Sequence, residues 1–245
     1  MKRASVCLIA AVALLAASTA GADVYIKETN RTESYVLGFQ TDTKSTRASE
    51  LWMSETKIAY RTPGRSFIVD REAQTFTVVN TESRTYVESP LPVDPVAILS
   101  DDVQARYEVW HRSGTVSDVG KTEEILGKTA NEYKVEFWEV EDGEKSNQQS
   151  MQVWATTDVD FDWKRIDELL DPLRIILNRD ETLREELHEM KGVQLKIEWW
   201  TGWFGKGQKH ITEIVEIALD RNPPKGVYTP PADCEQKERL TQRDL

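Results

Sequence analysis

The feature that most constrains this chain is a period-two alternation of apolar and polar residues that recurs along most of its length. In GVQLKIEWW, residues 192–200, Val193, Leu195, Ile197 and Trp199 alternate with Gln194, Lys196 and Glu198. Successive side chains of a strand point to opposite faces, so this spacing gives one buried and one wetted face. The same pattern places Ile58 and Tyr60 against Lys57 and Arg61, and Phe76 and Val78 against Thr75 and Thr77. Phe67 and Val69 alternate within RSFIVD, and Tyr133, Val135 and Phe137 within EYKVEFWEV. HITEIVEIAL sets Ile211, Val215, Ile217 and Leu219 on one side. Turn residues separate the runs, among them Pro63-Gly64, Asn80 and Asp142-Gly143. The spacing predicts about ten or eleven strands on short connections, hence an antiparallel meander.

Three segments keep a helical period instead. In residues 94–106, Asp94 is placed as an N-cap with Pro95 at the first helical position, and Val96, Leu99 and Val103 share a face. Residues 163–178 carry Trp163, Ile166, Leu169, Leu170, Leu173, Ile176 and Leu177 as an apolar stripe. Pro172 is expected to break or kink this helix, with Asp171 recapping a second piece. Residues 180–192 start at Asp180 and end at Gly192. Helices grouped between strands, not alternating with them, argue against a doubly wound parallel sheet. The expected class is mainly β (α+β): an antiparallel sheet with two or three helices on one face.

The first 22 residues read differently. A basic start, MKR, an apolar run and the small residues STAGA form a secretory signal, with cleavage expected after Ala22. Domain boundaries then follow as 1–22 signal peptide, 23–232 single domain and 233–245 polar, frayed tail. The formal net charge is −11, and losing Lys2 and Arg3 takes it to −13. That balance opposes non-specific nucleic-acid binding and suits a soluble monomer. Cys7 lies in the signal, leaving Cys234 alone, so no internal disulfide is expected and the apolar core must hold the fold.

No catalytic signature emerges. The three histidines, His111, His188 and His210, lack the paired spacing of a zinc site. Asp158, Asp160 and Asp162 have the opening spacing of a calcium loop, but Trp163 and Leu169 stand where it needs Gly and Glu. These acids read as strand-ending and helix-capping residues. No cofactor, metal or catalytic residue is expected, and His111 is the first place to look for chemistry. The aromatic cluster EWWTGWFGKG, 198–207, is the other notable feature. Trp200, Trp203 and Phe204 fall off the apolar face or beyond the strand, next to Lys206 and Lys209. They are core under a sheet rim, or a tip that contacts a membrane interface or a protein partner.

Four stretches together resemble one recurrent pattern. ELWMSETKIAYRTPGRSFIVDREAQTFTVVNTESRTYVE (50–88) resembles a Trp strand, a K-I strand, an I-V-D strand and an Arg-Thr-Tyr hairpin of exported bacterial proteins. EEILGKTANEYKVEFW (123–138) is similar to the same group's I-x-G turn and Tyr-x-Val strand; the Cys often found between the two is absent here, near Ala130. QVWATTDVD and KGVYTPPADC (225–234) resemble its next strand and its closing segment. The group is similar to the outer-membrane lipoprotein carrier (LolA-like) superfamily. The resemblance implies a strongly curved antiparallel half-barrel with helices in its concave side, an apolar cavity and no catalytic residue.

The expected function is therefore a periplasmic binding protein that holds an apolar small molecule, a lipid or a lipoprotein acyl chain. Candidate lining residues are Trp52, Ile58, Tyr60, Phe67, Val69, Tyr86 and Leu99, with Leu173, Ile176 and Leu177 as the lid. The alternative is an envelope protein-interaction or sensing module that docks through the Trp-rich tip.

Overall fold

The computed structural model describes residues 23–177, 180–203 and 206–244, with only the backbone for residues 45–47 and 203. Twelve strands form one open sheet. They are β1 (Asp23–Val36), β2 (Phe39–Met53), β3 (Lys57–Thr62), β4 (Arg65–Asp70), β5 (Thr75–Asn80) and β6 (Thr85–Pro90), then β7 (Trp110–Ile125), β8 (Lys128–Glu141), β9 (Glu144–Thr156), β10 (Val193–Trp203), β11 (Lys206–Arg221) and β12 (Glu235–Gln236). The order is β12-β6-β5-β4-β3-β2-β1-β11-β10-β9-β8-β7. Two antiparallel meanders, β1–β6 and β7–β11, thus join where β1 pairs with β11. Sequence alternation finds the strands but not this seam. It depends on a register between residues nearly 200 positions apart, such as Glu28 opposite Ile214.

The alternation places most buried residues but not in β11, where Ile211 and Ile214 are buried and Val215 and Leu219 are exposed, because the pairing with β1 shifts register at Lys27 and Glu28; near β3–β5 both faces are buried. Ile58, Val69 and Val78 join the main core, while their neighbours Ala59, Ile68 and Val79 pack on the opposite face with Tyr25, Trp52 and Val227. The 227–234 segment covers that second face, and the half-buried Cys234 lies against it as a free thiol.

Among the described residues there are four helices: α1 (Pro95–Ile98), α2 (Asp101–Val109), α3 (Arg165–Ile176) and α4 (Glu181–Glu189). The Asp94 carboxylate accepts from the Val96 amide at 2.9 Å, as an N-cap does. The helix expected over 94–106 is nevertheless two pieces. Leu99 is extended, and the chain around Leu240 pairs with the break. The Leu240 amide donates to the Ile98 carbonyl at 2.7 Å, and the Ser100 amide to the Leu240 carbonyl at 2.8 Å. Backbone partners from a distant segment replace helical ones, which local propensity does not reveal. Leu99 and Val103 are still buried, but Val96 is 63% exposed. A second correction concerns Pro172, through which α3 runs without a break. A third concerns the tail, which is docked and not frayed. β12 pairs in parallel with β6, Leu240 is buried, and the buried Asp244 carboxylate accepts from Lys237, Thr241 and Asn80. No helix among the described residues is long and apolar enough to cross a membrane.

Candidate functional site

Strands β1–β3 and β7–β11 and helices α3 and α4 line an open-sided cavity of about 600 Å³. Its helical wall follows from the two stripes read in the sequence. Leu170 and Leu173 of α3 and Leu183 and Leu187 of α4 face it. Asp180 caps α4 by accepting from the Leu183 amide at 2.8 Å, so the capping residue fixes where the stripe begins. α4 packs on β7, and α3 on β3 and β4. On the sheet side the wall divides. Strands β8–β10 supply Val135, Phe137, Met151 and Ile197, while β1, β3 and β11 supply Glu28, Asn30, Tyr60 and Thr212.

Several polar groups in the lining have partners. The Thr212 hydroxyl donates to the Asn30 side-chain oxygen. Arg174 is buried at 3% exposure, and its guanidinium bonds Asp171 at 2.9 Å and Asp167 at 3.3 Å. Burial pushes the Asp167 carboxyl above its usual range, against the opposing pull of Arg174. His188 lies 3.0 Å from Asp171, so this cluster ties α4 to α3. Arg112 faces Glu139 at 3.6 Å. Glu28 is different. Its carboxylate accepts from the Tyr60 hydroxyl at 3.3 Å, and burial raises it above its ordinary value of 4.5 despite that bond. Burial, then the nearby Glu28, holds the Tyr60 hydroxyl far above the usual tyrosine range.

Of the ten residues expected to line or lid the cavity, Tyr60 and Leu173 do. Ile58, Val69, Leu99 and Ile176 are fully packed core, and Phe67 is half-buried against Tyr60 at 6.4 Å between ring centres. The physical reason is that α1, α2 and α3 fill the β3–β5 end, through Ile98, Val103 and Leu169. Trp52 and Tyr86 point to the opposite face, beside Tyr25 and Tyr228. Leu177 lies past the end of α3 and is 39% exposed. The open volume sits instead under β1 and β8–β11. Alternation put Val135, Phe137, Ile197 and Trp199 on an inward face, yet nothing local distinguishes a packed inward residue from one facing space. Glu28 carried no signal at all, since an acid in a polar stretch such as KETNRTES reads as surface.

The second sequence-flagged feature is the aromatic tip. Trp199 faces the cavity and stacks on His210 at 4.9 Å. Trp200 lies on the other face, 52% exposed, with its ring 4.9 Å from that of Tyr35. Phe204 and the side chain of Trp203 lie outside the described residues. Pairing of Val36 with Lys206 brings the β1–β2 turn beside this tip. There Leu37 and Phe39 are each 77% exposed. Leu37 and Gly38 both have positive φ, the conformation of a two-residue hairpin turn that favours Asn-Gly.

His111 is 3.6 Å from the capping Asp180, an electrostatic contact at a helix start. Among the described residues no group of three or more His, Cys, Asp or Glu is placed to hold a metal ion. Asp162 accepts from the Lys164 amide at 3.2 Å, at the entry to α3.

No protein-family model matches the sequence, and no curated protein matches it. Among solved structures the chain is similar to PNGF-II in its P21 space group, with a TM-score of 0.42 and 10% identity. The match covers 91% of this chain but 32% of that one, so the chain spans about a third of its length.

Proposed function

We propose that this protein is an exported binding protein of LolA-like half-barrel architecture that carries an apolar ligand, a lipid or a lipoprotein acyl chain. The observation that carries the reading is the cavity of about 600 Å³ between sheet and helices, whose helical wall is largely leucine. Ligand sites are typically concave and mostly apolar with a few placed polar groups. Curvature is supported by the helix contacts. α3 touches β3 and β4, α4 touches β7, and the two helices touch each other. Seven strands separate β4 from β7. In a flat sheet the two strands would stand about 38 Å apart, at about 4.8 Å per step. Packed helices lie about 10 Å apart, so a bent sheet accounts for these contacts with little gap to bridge. Residues 1–22, outside the described residues, are the export signal of this reading, and the periplasm is its compartment.

Binding draws on about 0.8 kcal/mol per buried methylene, less the cost of association. A twelve-carbon chain is therefore expected to displace a neutral fluorescent apolar probe at micromolar concentration, with little dependence on salt. Native mass spectrometry of the same sample should show a one-to-one complex. An empty protein in both measurements rejects the carrier reading.

A second reading rests on the exposed tip, for which we infer contact with a bilayer surface. Leu37, Phe39 and Trp200 are apolar, protruding and clustered by the β1–β11 pairing. Exposed apolar side chains at a hairpin end suit insertion between lipid headgroups, and the Trp–Tyr pair has the amphipathic character of interfacial anchors. Each exposed side chain contributes about 1.5–3 kcal/mol when buried. The double variant Leu37→Ser, Phe39→Ser is thus expected to lose at least about tenfold in partitioning to phosphatidylcholine vesicles. Equal sedimentation of variant and wild type, or none by either, removes this reading.

A further inference from the structure

Four charged side chains line the cavity: Glu28, Arg112, Asp167 and Arg174. Arg174 and Asp167 answer each other at 3.3 Å, and Arg112 pairs with Glu139 at 3.6 Å through its terminal nitrogen while its buried Nε has no hydrogen-bond partner. Glu28 has no cationic partner among the described residues; its recorded bond is the one from the Tyr60 hydroxyl. It sits between Ile26 and Asn30 along β1 and opposite Ile214 of β11, all three facing the same space. Glu28 is half-buried, and a partly desolvated carboxylate without a counter-charge carries a cost that an apolar residue at the position would not. Around it lie acceptors and neutral polar groups: Asn30, Tyr60 and Thr212. Across from it Val135, Phe137 and Met151, with Leu183 and Leu187 of α4 and Met190 just past its end, are apolar. The cavity therefore carries a carboxylate without a cationic partner on its β1 side, among Ile26, Leu51 and Ile214, and faces a mainly apolar surface on β8 and α4.

We propose that the ligand is a cationic amphiphile, whose ammonium group pairs with Glu28 while its alkyl chain lies against β8–β10 and α4. This inference rests on the carrier reading above. It selects among apolar ligands, because a fatty acid would set a second carboxylate beside Glu28 and a fatty alcohol would leave the charge unanswered. The raised proton affinity of the Glu28 carboxyl in the empty cavity agrees with a charge that lacks its partner. An ammonium brought within hydrogen-bond distance of the carboxylate would reverse that shift.

The test compares three probes of equal chain length, dodecylamine, dodecanol and dodecanoate, below their micelle concentrations at neutral pH. Displacement of a neutral fluorescent probe from the full protein is read for wild type and Glu28→Gln. Dodecylamine is expected to bind at least about tenfold more tightly than dodecanoate. Glu28→Gln should erase that preference, and a thermal melt of the variant beside wild type shows that it is folded. Dodecanoate binding as well as dodecylamine, or a preference that survives Glu28→Gln, overturns the proposal while the cavity reading stands. Failure of all three probes to bind overturns both.

Discussion

Tryptophan in place of Leu170 is expected to close the cavity and weaken alkyl-chain binding by about a hundredfold, with the fold retained. Leu170 sits on α3 between the buried Leu169 and the cavity-lining Leu173, and is itself half-buried with its side chain toward the open space. The enlarged ring therefore has a void to enter and need not push into packed core, where overpacking is destabilising. An indole in that void displaces about three or four methylenes of a bound chain, a loss of about 3 kcal/mol at 0.8 kcal/mol each. That energy corresponds to about a hundredfold in dissociation constant. Isothermal titration with a twelve-carbon ligand, beside a thermal melt, measures both halves of the expectation. Undiminished affinity in a folded variant shows that ligand, if it binds, does not use this space. Trp200→Ser is the control, since that ring lies on the other face and should leave cavity binding unchanged.

The second large effect is on stability. Gly192→Ala is expected to destabilise the fold by about 3–5 kcal/mol, combining left-handed backbone strain with an overpacked contact. Gly192 joins α4 to β10 with φ of +104°, which L residues rarely adopt. A Cβ built there would lie 2.2 Å from the Thr156 carbonyl oxygen and 2.9 Å from the Thr157 amide nitrogen. Both neighbours are backbone at the end of β9, so neither can swing aside. Chemical denaturation of Gly192→Ala against Gly207→Ala separates this cause from a general glycine effect. At Gly207 the nearest atom to an added Cβ is 3.5 Å away, so that variant should cost about 1 kcal/mol or less. Equal stabilities for the two variants would contradict the close approach of α4's exit to β9. Because Gly192 also borders the cavity, the same contact sets how far α4 stands from the sheet.

The comparison between sequence and structure is clearest at individual residues. Asp94 and Asp180 cap helices where the sequence placed them, since a cap is a bond between residues two or three apart. Val193, Leu195, Ile197 and Trp199 face inward for an equally local reason, the two-residue period of a strand. The helix over 94–106 divides because Leu240 intrudes, and the tail docks because Asn80 and Lys237 receive Asp244. Those partners come from other parts of the chain and leave no trace in the local pattern. The same holds for Trp52, whose apolar character was evident but whose face was not.

What the residues by themselves determined was the identity of the elements: strands by alternation, and helices by stripe and cap. Only the tertiary structure decided where empty space remains and what faces it. Hydrophobic character drives a side chain out of water but is indifferent to whether protein or a ligand meets it. At β3–β5 that surface meets α1, α2 and α3, and the site closes into core. Beneath β1 and β8–β11 it meets a cavity, and there the pairing of β1 with β11 places Glu28 opposite Ile214, a polar point on a greasy wall.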